Sequence, residues 1–160
     1  MRHASGKAVR SSGGRPVRAG NLHVTLAFLG VVPEARLVAL AAIARQAAAS
    51  CLGGGPLAFD HLEYWRAAQL LCALPTAPPA WTADLARGLQ DLSAGRGLVG
   101  FGITRQFRPH VTLARGVQCP PSVMQMQPVT WGFTDFVLVD SKTLPEGSVY
   151  TVLERFSFRH

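Results

Sequence analysis

The sequence predicts an α+β domain built as two related lobes, on three observations. Segments with apolar residues at helical spacing alternate with segments of period two, and several of the latter come in hairpin-like pairs. The string His-Val-Thr-Leu-Ala occurs at 23–27 and again at 110–114, 87 residues further on and each time in a strand-like setting. The length of 160 residues suits one domain, or two small lobes sharing a core, and the apolar fraction of 48% is enough to build an interior.

Residues 1–20 hold five basic residues, four glycines and no acid. They read as a solvated, flexible basic tail, with a single domain over 21–160. No apolar h-region marks them as a secretory leader. An acid-free, Arg- and Ser-rich start also suits a transit peptide, although the glycines oppose an amphipathic helix.

In Leu22–Leu29, Leu22, Val24, Leu26 and Phe28 alternate with His23, Thr25 and Ala27, the pattern of a strand with one buried face. That alternation places Phe28 in the core. Gly30 and Pro33 end the strand. Residues 34–50 carry Leu37, Leu40, Ala41, Ile43, Ala44 and Ala47 at helical spacing, and Gly53–Pro56 breaks the helix. Leu57–Trp65 and Gln69–Leu74 read as two strands joined by a short turn. Pro75–Pro79 is a linker. Thr82 is placed to cap a helix whose stripe is Leu85, Leu89 and Leu92. Gly95–Gly97 stops that helix, and Leu98–Ile103 is a strand candidate. Pro109–Arg115 repeats the first alternation, with Pro109, Val111 and Leu113 on one face and His110, Thr112 and Ala114 on the other. Thr130–Val139 and Ser148–Phe158 close the chain as strands rich in Val, Phe, Tyr and Thr.

The repeated string carries the chemistry. In a strand, residues i and i+2 point the same way, about 6.6 Å apart. His23 therefore shares a face with Thr25, and His110 shares one with Thr112. If the two lobes face each other, two imidazoles and two hydroxyls converge on one cleft. One imidazole can take a proton from water while the other gives one to a leaving oxygen. The hydroxyls can donate to the oxygens where charge develops. A lone strand histidine is more often structural, but core packing has no need of a duplicated His-x-Thr on the polar face. Zinc fits poorly, because no third ligand stands at suitable spacing and threonine is a weak zinc ligand. No metal and no cofactor is expected.

The net charge is +7, and 14 of the 16 basic residues are arginine. Arginine's planar fork grips phosphate oxygens bidentately, so an anionic partner such as RNA fits; codon bias would give the same charge. Arg105, Arg108 and Arg115 flank His110. Arg115 lies an odd five residues beyond it, so a bend after Leu113, or the end of the strand there, is needed to bring both to one face; Arg108 reads as a solvated edge charge. Cys51, Cys72 and Cys119 are odd in number and scattered, which suits a reducing cytoplasm rather than a disulfide framework. No apolar run approaches the ~18 residues of a membrane span.

Asn21-Leu-His-Val-Thr-Leu-Ala-Phe-Leu-Gly30 and Phe107-Arg-Pro-His-Val-Thr-Leu-Ala-Arg115 resemble the paired signatures of the two-histidine (2H) phosphoesterases. The branch is the RNA 2′,3′-cyclic phosphodiesterases, historically called 2′-5′ RNA ligases. Leu138-Val-Asp-Ser-Lys142 and Tyr150-Thr-Val-Leu are also similar to it, and the resemblance covers about residues 15–158. It implies a bilobal fold with antiparallel sheets around a central cleft, no metal, and hydrolysis of a cyclic phosphate at the end of an RNA or nucleotide to a 2′-phosphate. It implies His23 as the acid at the departing 3′ oxygen and His110 as the base for water. Thr25, Thr112 and Arg115 would bind the phosphate. Against that family the chain reads as lacking a strand and a helix before the first motif, which would leave an apolar face or sheet edge uncovered near 22–29. Other expectations open from sequence are a 2H enzyme for 2′-5′ linked or small cyclic nucleotides, and a non-catalytic RNA-binding derivative.

Overall fold

The structure, a computed structural model, describes residues 1, 3–51, 54–94, 107–145 and 147–158. The expected Gly95–Gly97 stop, the Leu98–Ile103 strand and Arg105 lie outside the described residues. The elements are α1 (Gly6–Ser11), β1 (Arg15–Pro16), α2 (Leu37–Ser50), β2 (Pro56–Phe59), β3 (His61–Trp65), β4 (Leu70–Leu74), α3 (Ala80–Ala94), β5 (Val111–Arg115), β6 (Val129–Gly132), β7 (Asp135–Leu144) and β8 (Gly147–Ser157). The architecture is α+β, and every strand pairing with a described register is antiparallel.

Two compact units emerge. The first comprises residues 1–24, 56–78 and 109–131. Its centre is a sheet of order β1-β5-β4-β3. Leu62, Leu71, Ala73, Val111 and Ala114 are buried. They are cross-strand partners in register, Leu62 with Ala73, Ala73 with Val111, Leu71 with Ala114, so a continuous apolar surface forms. The β3–β4 hairpin turns through a 3-10 turn at Arg66–Ala68 and a left-handed Gln69 at φ 53°. The Gln69 carbonyl accepts from the Val117 N–H at 3.0 Å, tying the turn to the end of β5. β2 pairs with β6, and Phe59 meets Trp131 edge-on at 5.7 Å.

The second unit comprises 25–55, 79–108 and 132–160. Ala41, Ala44 and Ala48 of α2 pack on Phe156 of β8 with Phe136 and Leu138 of β7. Ala47, Leu85 and Phe158 form a neighbouring cluster with Trp81 and Leu89. Alanines on α2 allow close approach, and the aromatic rings fill the space; Phe136 stacks obliquely on Phe156 at 5.3 Å.

Five expectations are corrected. Residues 1–20 are not simply a tail, and a strand and helix do precede the first motif. Ala8 of α1 is fully buried, the Ser5 and Ser12 hydroxyls donate to the Met1 and Val9 carbonyls, and β1 pairs with β5. A few small apolar residues with locally satisfied hydroxyls suffice to order this stretch. Leu22–Leu29 is not a strand: alternation supplies a face, but a strand also needs a ladder partner, and the described ladders include none for it. For the same reason Phe28 is not core; it is 74% exposed. Thr82 lies inside α3 rather than capping it, its hydroxyl donating to the Pro79 carbonyl at 2.8 Å. The helix starts directly after Pro79, which has no N–H to satisfy.

Candidate active site

The second motif is a strand with one irregularity that matters. In the β4–β5 ladder, Leu70 pairs with Arg115, Leu71 with Ala114 and Cys72 with Thr112. β5 advances two residues while β4 advances one, so Leu113 is the extra residue of a β-bulge. Leu70 and Cys72 share a face of β4, and paired residues project to the same face. Arg115 and Thr112 therefore share that face despite their odd separation, and His110, two residues before Thr112, belongs with them. The bend required of the sequence is this bulge. The exposures agree: Val111, Leu113 and Ala114 are buried, while His110 and Thr112 are half-buried and Arg115 is exposed.

The same face carries groups that the sequence did not single out. The Trp65 ring lies against the His110 imidazole, centroids 4.4 Å apart and planes inclined at 54°. The indole is itself held, its Nε1–H donating to Glu63 Oε2 at 2.7 Å. Glu63 Oε1 is 3.6 Å from His61 Nε2, and His61 Nδ1 is 3.0 Å from Asp60 Oδ1. The His61 hydrogen bond, with the Thr76 hydroxyl and N–H, holds the Asp60 carboxyl below the usual carboxylate range. A Glu-x-Trp spacing along β3 was visible in the sequence, but nothing there linked Trp65 to a histidine 45 residues later.

His23 follows a 3-10 turn at Ala19–Asn21. Arg15 pairs with Arg115 and the Val17 N–H donates to the Leu113 carbonyl at 2.8 Å. The chain leaving β1 therefore heads toward the end of β5 that carries His110, and both histidines fall in the first unit. His23 is exposed, and its Nδ1 is 2.7 Å from the Asn21 carbonyl oxygen. A carbonyl only accepts, so Nδ1 carries the proton of this bond. Thr25 falls in the second unit, the boundary passing inside the first motif.

A cavity of about 150 Å³ lies under α1, lined by Val9, Val17, Leu22 and Leu113 among others, and none of the five motif residues lines it. Arg108 is exposed. Among the described residues, no group of three or more His, Cys, Asp or Glu is placed to hold a metal ion, and no helix is long and apolar enough to cross a membrane. Burial pushes the Cys51 thiol up, with the Asp84 carboxylate adding to the effect, which keeps it a poor nucleophile.

Comparison with known proteins shows the family. Residues 2–66 match the family described as LigT like Phosphoesterase. The chain is 32% identical over 148 residues to the RNA 2′,3′-cyclic phosphodiesterase of Escherichia coli, covering 90% of this chain and 80% of that one. It is also 32% identical over 160 residues to the protein of the same name from Thermus thermophilus, covering 92% and 77%. The crystal structure of E. coli LigT complexed with 3′-AMP superposes with a TM-score of 0.86 at 29% identity, covering 98% of this chain and 87% of that one. The chain belongs to the LigT-like phosphoesterases of the two-histidine superfamily.

Proposed function

We propose that the protein hydrolyses the 2′,3′-cyclic phosphate at an RNA end to a 2′-phosphate, without a metal, in a reducing cytoplasm. The observation that carries this reading is the Leu113 bulge, which turns Arg115 onto the face of His110 and Thr112. A guanidinium, a hydroxyl and an imidazole on one face form a phosphate site with its own base. The relatives named as RNA 2′,3′-cyclic phosphodiesterases supply the substrate class.

In the proposed reaction, His110 takes a proton from water and the oxygen attacks phosphorus. The bond from phosphorus to the 3′ oxygen breaks, and His23 Nε2–H delivers a proton to that oxygen. The products are a 2′-phosphate and a 3′-hydroxyl. The Asn21 carbonyl supports this role for His23 by accepting from Nδ1–H and so holding the ring in one orientation. Trp65 supports the role of His110, because an aromatic face within about 6 Å favours the imidazolium that forms as the proton is taken. Thr112 and Arg115 hold the non-bridging oxygens, where charge grows in the transition state. A neighbour complexed with 3′-AMP favours small nucleotides as a second substrate class.

The test is turnover of 2′,3′-cyclic AMP with chelator present, product identified as 2′-AMP. His23→Ala and His110→Ala should each lower kcat by at least about a hundredfold, and the double variant should lose less than the product of the two. Full-rate His110→Ala protein would eliminate the mechanism, and loss of wild-type turnover on chelation would move the assignment to a metal-dependent hydrolase.

A further inference from the structure

Arg15 of β1 is the direct cross-strand partner of Arg115 of β5. Such partners project to the same face, with Cβ atoms about 4.5–5.5 Å apart, and like charges so placed repel. Both side chains are exposed, and among the described residues neither guanidinium has an ion pair or hydrogen bond to offset the repulsion.

The apposition is built into the backbone. A Cβ on Gly14 would stand 2.6 Å from Val117 Cγ2 and 2.9 Å from the Arg115 carbonyl oxygen, so the chain enters β1 pressed against the end of β5 in a way that only glycine permits. Three residues after that glycine, the Val17 N–H donates to the Leu113 carbonyl. Pinned on both sides, Arg15 cannot slide out of register with Arg115. Two planar forks side by side match the oxygens of phosphate groups, and an anion between or beside them converts the repulsion into attraction. Sheet order then separates two positions. Arg115 and Thr112 lie on β5, on the face shared with His110, whereas Arg15 lies on the edge strand, one strand beyond Arg115 and further from β4.

We propose that Arg15 is a second phosphate contact, holding the internal phosphodiester that precedes the cyclic end, so that the site favours an oligonucleotide over a mononucleotide. The proposal rests on the reading that Arg115 faces the reacting phosphate.

The test compares 2′,3′-cyclic AMP with a dinucleotide ending in a 2′,3′-cyclic phosphate, using wild type, R15A and R15K. R15A should raise KM for the dinucleotide about tenfold at unchanged kcat, and leave KM for cyclic AMP within about twofold. R15K, which keeps the charge and loses the fork, should fall between. R15A should also unfold at no lower a temperature than wild type, since it removes a repulsion, which excludes misfolding as the cause. Equal effects on both substrates, or none on either, overturn the proposal. Equilibrium binding of the two 2′-phosphate products gives an independent readout. If wild type turns over neither substrate while R15A still weakens the dinucleotide product alone, the catalytic reading falls and the phosphate contact stands. If R15A weakens both products alike, the contact falls whatever the turnover.

Discussion

His110 gains its position from residues on three strands. β5 continues directly from it, β4 sets the register that aligns it with Thr112 and Arg115, and β3 presents Trp65 against its ring. The hydrogen bond from Trp65 Nε1 to Glu63 keeps the indole from rotating away. Trp65→Ala should therefore lower kcat on 2′,3′-cyclic AMP about tenfold with little change in KM, whereas Trp65→Phe, which keeps an aromatic face, should retain most of the rate. Steady-state kinetics on the two variants check this. An equal loss in both would show that the indole N–H, not the ring face, matters. At this scale the sequence spoke through repetition: His23, Thr25, His110 and Thr112 stood out because a five-residue string occurred twice. Trp65 and Glu63 did not stand out, because their relation to His110 exists only once β3, β4 and β5 pair.

The elements show what periodicity can and cannot convey. α2 and the strands at Val111–Arg115 and Gly147–Ser157 lie close to where the apolar spacing placed them, since each has a partner that covers its apolar face or completes its ladder, whereas the single strand expected over Thr130–Val139 is divided between β6 and β7. Leu22–Leu29 had an equally clean alternation and forms no strand, because a pattern specifies which face is apolar and is silent on which chain supplies the hydrogen bonds. The bulge at Leu113 was legible only as a requirement, from the odd offset between His110 and Arg115. Its location is set by the pairing of β4 with β5. That pairing rests on the buried row of Leu71, Ala73, Val111 and Ala114, so Leu71→Ala should destabilise the protein by about 2–5 kcal/mol. Val152→Ala, on the 52% exposed position of the β7–β8 hairpin, should stay within about 0.5 kcal/mol. Urea denaturation of the two variants distinguishes them. Comparable losses would mean that the hairpin face is covered in solution.

For the whole molecule, the repeat suggested one lobe per copy of the motif, yet both histidines fall in the first unit, and only the α+β class was anticipated, by alternating periodicities. The segment composition of the units was not, since each is assembled from three stretches of chain and one boundary cuts between Val24 and Thr25. Long-range assembly of that kind follows from pairing energies that no local window contains. A net charge of +7 carried mostly by arginine suits the anionic substrate proposed. The central claim is that His23 and His110 act as an acid and a base on one phosphate, and the most direct measurement is the pH dependence of kcat/KM for 2′,3′-cyclic AMP. The base must be neutral, so the rate should rise with pH as His110 loses its proton. The acid must be protonated, so the rate should fall again as His23 loses its own, and wild type should show a bell. His110→Ala should lose the acidic limb and keep the basic one, and His23→Ala should do the opposite. A wild-type profile with a single limb, or variants that keep both limbs, would contradict the assignment.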